Sequence, residues 1–146
     1  MPTQRGFTLL ELLVVIAIAG LMTGLAVASL DSGKAPRQQA LERLASAVRE
    51  QADLALHNGE VRGLRWDGQR PELVRLVEGG QWRAEPVALG EWPDGLRADW
   101  PASRSPRVIF TPSGLAGPMV LNWHSAHHRQ RWEWQSDSGL RVVLLP

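Results

Sequence analysis

The hydrophobic pattern along the chain begins with an apolar block near the N-terminus. Residues 7–30 form a continuous apolar stretch with a single charged side chain, Glu11, and six mostly polar residues precede it. A helix crosses the hydrocarbon core of a bilayer with about 20 apolar residues. The block therefore predicts a membrane-spanning helix over residues 7–30 behind a short leader, residues 1–6.

The next segment, residues 31–59, predicts a linker followed by an amphipathic helix. Gly33 and Pro36 allow a bend, and Gly59 is a typical helix stop. Between them, apolar residues recur at steps of three and four, which gives the helix one apolar face for packing on a sheet. That face consists of Leu41, Leu44, Ala45, Val48, Ala52, Ala55 and Leu56.

From residue 60 onward the pattern alternates between apolar and polar positions, with frequent turn residues. This pattern predicts an antiparallel β domain over residues 60–146, with a hairpin turn at Asp67-Gly68. The predicted fold class is therefore α+β: a long N-terminal helix packed on an antiparallel sheet or sandwich. The predicted strands are 61–66, 72–78, 81–85, 96–100, 107–111, 119–123, 131–135 and 140–145.

Composition excludes several classes of function. The chain has no cysteine, which rules out disulfides, zinc–thiolate sites and thiol nucleophiles. Its net charge is +1, and removal of Arg5 with the leader would leave 15 basic and 15 acidic side chains, so bulk charge argues against nucleic-acid binding. We find no phosphate-binding glycine loop, catalytic nucleophile motif or metal–carboxylate set. We therefore expect neither an enzyme nor a cofactor.

Glu11 is the residue that a plain membrane anchor does not explain. An intramembrane carboxylate costs about 2.5–3.5 kcal/mol at the bilayer centre, so such a residue normally has a partner. Two other interpretations stay open: a secretory signal cut after Ala26-Val27-Ala28, and a simple single-pass anchor. If the chain is cut after Gly6 instead, Phe7 becomes the N-terminus, and Glu11 can pair with the amine of a neighbouring helix.

The residues around this position carry a resemblance to a known family. Gly6-Phe7-Thr8-Leu9-Leu10-Glu11, with its short leader and long apolar helix, resembles the type IV prepilin signature. The resemblance implies that a prepilin peptidase cleaves between Gly6 and Phe7 and methylates the amine of Phe7. It also implies that the helix packs in the core of a filament, where Glu11 serves assembly.

The remainder resembles minor pseudopilin H of type II secretion systems. The motifs are Glu42-Arg43-Leu44, Gly63-Leu64-Arg65-Trp66, Phe110-x-Pro112-x-Gly114 and Gly139-Leu140-Arg141. The resemblance implies a type IV pilin-like fold and a structural role at or near the tip of the pseudopilus. Minor pilins of type IV pili, which serve assembly, adhesion or DNA uptake, share this globular domain and are the alternative.

The same resemblance implies a location and a set of partners. The chain would be a single-pass protein of the bacterial inner membrane with its globular domain in the periplasm. Its partners would be prepilin peptidase, inner-membrane lipid before assembly, the other minor pseudopilins and the major pseudopilin. A secreted substrate is a further candidate, whereas nucleic acid is not expected.

Three other groups of side chains have both a functional and a structural interpretation. His124, His127 and His128 fall in a predicted turn, where they could bind a transition metal or form part of a solvated loop. Five arginines could form a basic strip for DNA or be salt-paired surface residues: Arg104, Arg107, Arg129, Arg131 and Arg141. Seven tryptophans could pack in the core or mark a partner surface: Trp66, Trp82, Trp92, Trp100, Trp123, Trp132 and Trp134, of which the last two share one strand face.

Overall fold

A computed structural model describes residues 8–31, 34–115, 117, 119–126, 128–135 and 139–145. The chain divides into two compact units, Met1–Pro36 and Arg37–Pro146. In the first unit, helix α1 runs over Leu9–Asp31. Its apolar side chains from Leu9 to Met22 are exposed. Counting described residues only, no helix combines the length and hydropathy that a membrane crossing requires.

Helix α2 runs over Lys34–Asn58, with Pro36 in its first turn. Gly59 ends it with a φ of 68°, a left-handed conformation that glycine adopts without strain. The predicted apolar face is confirmed for most of its members, but it is wrong for Leu56, which is exposed. The buried face is instead completed by three small or polar residues: Ala40, Ala47 and Gln51.

The strands form two antiparallel sheets. Sheet A has the order β3-β2-β1-β5-β6 and sheet B the order β4-β7-β8-β9. Sheet A comprises β1 (Arg62–Trp66), β2 (Pro71–Val77), β3 (Gln81–Ala84), β5 (Val108–Thr111) and β6 (Gly114–Leu115), and sheet B comprises β4 (Arg97–Ala98), β7 (Met119–Ser125), β8 (His128–Trp134) and β9 (Leu140–Leu145).

The predicted strands are all confirmed in position, with shifts at their ends, and β6 is an additional strand that the pattern did not predict. Gly63 on β1 has a packing reason for being glycine. A Cβ there would lie 2.6 Å from the carbonyl oxygen of Val108 and 2.7 Å from the Cβ of Pro106. Glycine therefore allows β5 and the segment before it to approach β1.

The core of the second unit is built around tryptophan. Trp123 on β7 is 1% exposed and meets four other indole rings. The ring centroids lie 5.0 Å away for Trp100, 5.4 Å for Trp132, 5.6 Å for Trp92 and 6.1 Å for Trp66. Most of these pairs meet edge to face, the arrangement that the quadrupole of aromatic rings favours. The α2 side chains Leu44 and Val48, both fully buried, belong to the same apolar core.

The prediction that tryptophan serves the core is therefore confirmed for most of the set. Trp134 extends the cluster through Trp132, at 6.1 Å, and meets Phe110 at 5.8 Å. Trp132 and Trp134 do share one face of β8, and both are buried. Trp82 on β3 is half-buried and does not belong to the cluster.

Candidate functional site

The first predicted site is the N-terminal motif, of which the structure describes the second half. Gly6 and Phe7, the predicted cleavage and methylation residues, lie outside the described residues. Thr8 precedes α1, and its carbonyl oxygen accepts the amides of Glu11 at 3.0 Å and of Leu12 at 3.2 Å. The Thr8 hydroxyl Oγ1 also accepts the Glu11 amide, at 3.3 Å. Thr8 is therefore the N-cap of α1.

This arrangement is one half of a known helix-capping motif. Thr8-Leu9-Leu10-Glu11 has the spacing of a capping box, and the bond from the Glu11 amide to the Thr8 hydroxyl is its threonine half. A carboxylate in the first turn also interacts favourably with the positive end of the helix dipole. The threonine three residues before the glutamate was the available signal.

A second group of polar side chains lies at the start of sheet A, and we call it the Glu60–Arg62 network. Arg62 is 7% exposed, and its Nη1 donates to Gln51 Oε1 on α2 at 2.6 Å. Its Nη2 donates to Glu60 Oε2, also at 2.6 Å. Arg75, opposite Arg62 across the sheet, donates to Glu85 Oε1 at 2.8 Å and to Glu60 Oε1 at 3.3 Å.

The network shifts the titration of two of its members. Hydrogen bonds from Arg62, helped by the charges of Arg62 and Arg75 and opposed by burial, hold the pKa of Glu60 below its usual value. Hydrogen bonding to Glu85, together with the nearby charge of Glu60, raises the pKa of Arg75. Every charge in this group therefore has an opposite charge beside it, which is what a structural ion-pair network provides.

The outer face of sheet B, opposite the face of Trp123 and Trp132, differs from this network. The register places Arg97 on β4 opposite His124 on β7, and His124 opposite Arg129 on β8. All three side chains are exposed, and we call them the basic row. Among the described residues, none of the three makes a side-chain hydrogen bond or ion pair.

The second row on this face consists of polar side chains that hydrogen-bond to one another. The Asn122 amide Nδ2 donates to Asp99 Oδ2 at 2.6 Å, and Arg131 Nε donates to Asn122 Oδ1 at 3.3 Å. Asp99 is therefore engaged one row away from Arg97. In the third row, Glu133 lies opposite Val120 on one side and Arg141 on the other.

The five arginines do not form one basic strip. Among the described residues none of the five forms an ion pair, so their interpretation as salt-paired surface residues is wrong as well. Arg104 and Arg107 precede β5 and associate with sheet A, where the Arg104 carbonyl accepts Arg65 Nη1 and the Arg107 amide donates to the Leu64 carbonyl. Arg129, Arg131 and Arg141 lie on sheet B. The outer face of sheet B also carries Arg97, which the sequence pattern did not indicate. The arginines of this face are Arg97, Arg129, Arg131 and Arg141.

The predicted turn of three histidines is also wrong in part. His124 lies on β7 and His128 begins β8, so both belong to strands, while His127 lies outside the described residues. Within the described part of the chain, no group of three potential ligands among His, Asp and Glu could hold a metal ion.

A groove lies between α2 and the inner face of sheet B. Its volume is about 460 Å³, and Trp123 and Trp132 form part of its lining. Two apolar side chains of the edge strand β9 are exposed beside it, Val142 at 40% and Leu144 at 71%. Ser125 Oγ and Gln130 Oε1 are buried at its wall without a hydrogen bond to any described residue. The groove could therefore take an occupant with both apolar and hydrogen-bonding groups.

Comparison with known proteins gives three findings. Residues 1–27 match the family described as the prokaryotic N-terminal methylation motif. Over almost its whole length, the chain is similar to the type II secretion system protein H of Pseudomonas aeruginosa. The two are 34% identical over 165 aligned residues, which cover 97% of this chain and 95% of that protein.

Two solved structures share the fold. Both are of the minor pseudopilin EpsH from the type 2 secretion system of Vibrio cholerae. One gives a TM-score of 0.52 at 18% identity and covers 77% of this chain and 94% of the other. The second gives a TM-score of 0.51 at 15% identity and covers 77% of this chain and 93% of the other. The predicted type IV pilin-like fold is thereby confirmed.

Proposed function

The chain belongs to the type II secretion system protein H family of minor pseudopilins, and on this premise we propose that it is a structural subunit at or near the tip of the pseudopilus. The observation that supports this proposal most strongly is the similarity to a protein H over almost the full length, which spans both the N-terminal motif and the globular unit. The role is one of assembly, through contacts with the other minor pseudopilins and with the major pseudopilin. We infer a structural rather than an enzymatic role, in support of the export of folded proteins across the outer membrane.

The subunit is proposed to start as a membrane-anchored precursor. Prepilin peptidase cuts between Gly6 and Phe7 and methylates the new amine of Phe7. The match of residues 1–27 to a methylation-motif family supports this step. The apolar sequence of residues 7–30 then holds the subunit in the bacterial inner membrane until assembly, with the globular unit in the periplasm.

Mass spectrometry of the purified chain from cells that contain prepilin peptidase tests this proposal. We expect the mature N-terminus to be Phe7 with one methyl group on its amine. An intact Met1, or a cut near Ala28, would contradict the precursor proposal, because either would remove Phe7 as the terminal residue. A peptidase-deficient strain is the matched control and should yield the uncut chain.

Glu11 is proposed to pair with the methylated amine of a neighbouring subunit and so to set the axial stagger in the filament. The capping box offers a second reason for a glutamate here, and the two can be separated. Glutamine keeps the capping geometry but lacks the charge. Alanine lacks both.

We therefore expect Glu11→Gln and Glu11→Ala to be cut after Gly6 like the parent chain, and both to be depleted in isolated filaments. The readout is the share of the subunit recovered with filaments, compared with the share in the membrane. Normal recovery of Glu11→Gln, with depletion of Glu11→Ala alone, would replace the pairing role by the capping role.

A further inference from the structure

The basic row of sheet B places two arginines on one exposed face without a described partner for either. Here Arg97 and Arg129 flank His124 on three adjacent strands, about 10 Å from first to last at the usual strand spacing. Among the described residues, no carboxylate lies within ion-pair distance of either arginine.

The chemistry of the row points to carboxylates. Each guanidinium presents donors in a fixed fork that matches a carboxylate group, and both arginines stand free on an exposed face. We propose that the basic row is a docking surface for an acidic segment of a partner protein, whose carboxylates pair with Arg97 and Arg129.

The surroundings of the row favour a protein segment over a nucleic acid. Asp99 lies one row away and Glu133 two rows away, so a phosphate backbone that continued along the sheet would meet negative charge. Apolar side chains also adjoin two arginines of this face, and they suit the side chains of a peptide: Leu145 lies opposite Arg129, and Val143 lies opposite Arg131.

This inference is independent of the filament role, because it concerns binding by the isolated subunit. The test uses the full chain in a neutral detergent and two labelled probes, followed by fluorescence anisotropy. The first probe is a peptide of alternating glutamate and valine. The second is a thymidine oligonucleotide of equal charge. The test variant is Arg97→Ser/Arg129→Ser.

The matched control is Arg49→Ser/Arg83→Ser, which removes two exposed arginines from α2 and β3 and changes the net charge equally. One exposed ion pair strengthens an interaction by roughly 1.5- to 5-fold, so loss of two should weaken peptide binding by about 2- to 25-fold. We expect the control to bind the peptide within about twofold of the parent chain. All the substituted side chains are exposed, and the thermal unfolding midpoint of each variant verifies its fold.

Three results would overturn the inference. The first is the absence of saturable peptide binding at low salt. The second is an equal loss of peptide binding in the two double variants, which would reduce the effect to net charge. The third is tighter binding of the oligonucleotide than of the peptide with the same dependence on Arg97 and Arg129, which would make the surface one for nucleic acid.

Discussion

The two sheets of the globular unit use arginine differently. In sheet A, Arg62 lies directly opposite Arg75, and Glu60 and Glu85 bridge the two guanidinium groups. In sheet B, His124 separates Arg97 from Arg129, and neither arginine forms an ion pair with a described carboxylate. An arginine is thus structural where flanking residues supply carboxylates, and available for binding where they do not.

The arginines of the two sheets also differ in burial. Arg62 is buried against Gln51 of α2, whereas Arg97 and Arg129 are exposed. A buried guanidinium must keep its partners, because loss of one leaves a charge or a polar group desolvated. An exposed guanidinium is solvated by water and can exchange that water for a ligand at little cost to the fold.

The largest effect that can test this comparison is the removal of Arg62. We expect Arg62→Met to lower the free energy of unfolding by about 1–3 kcal/mol, because the buried Gln51 Oε1 loses its donor. Chemical denaturation of the full chain in detergent, followed by tryptophan fluorescence, provides the measurement. The matched control is Arg129→Met, which should change the same quantity by less than about 0.5 kcal/mol. Equal losses in the two variants would break the distinction between the sheets.

A smaller effect is expected from acid. The pKa of Glu60 in the folded chain lies below its usual value of 4.5, so the folded state holds the carboxylate charged more strongly than the unfolded state does. Its contribution is fully present above the unfolded pKa and is lost as pH falls through the folded one. Stability measured from neutral pH down to pH 3 should therefore fall less steeply in Glu60→Gln than in the parent chain. If the free energy of unfolding fell equally steeply with pH in both chains, Glu60 would not contribute to the loss of stability in acid.

The smallest effect should come from the basic row itself. Arg97→Ser/Arg129→Ser should change the free energy of unfolding by less than about 0.5 kcal/mol, because both side chains are exposed and neither forms an ion pair or a side-chain hydrogen bond with a described residue. The same denaturation measurement applies. A clear loss of stability would mean that the row is structural after all, and the comparison between the sheets would then need another explanation.

Most of the fold could be predicted because its signals are local. The three- and four-residue steps located α2, and the turn residues separated strands that alternate in polarity. Leu56 was misplaced because steps of three and four residues also fit a position at the margin of the apolar face, and Leu56 is exposed although its neighbour Ala55 is fully buried. Ala40 and Ala47 were overlooked because small side chains contribute little to a hydrophobic pattern, although they allow close packing.

The surfaces depend on pairings that are distant in the sequence. Arg97 joins His124 only because β4 pairs with β7, and nothing in the local pattern of residues 96–100 identifies that partner. The same argument applies to the arginines near residue 105, which a linear count groups with Arg129 although they associate with the other sheet. Thr8 is the opposite case, since its capping role was readable from the spacing to Glu11.

The indole cluster around Trp123 has an optical consequence. The chain contains seven tryptophans and no tyrosine, so its near-ultraviolet absorption is almost entirely that of indole. Ring centroids 5.0–6.3 Å apart are close enough for the excited states to couple and for excitation to pass between rings before emission. The near-ultraviolet circular dichroism of the folded chain should therefore be strong and shaped by pairs of rings rather than single ones. Loss of that signal would therefore register a loosening of the packing around Trp123.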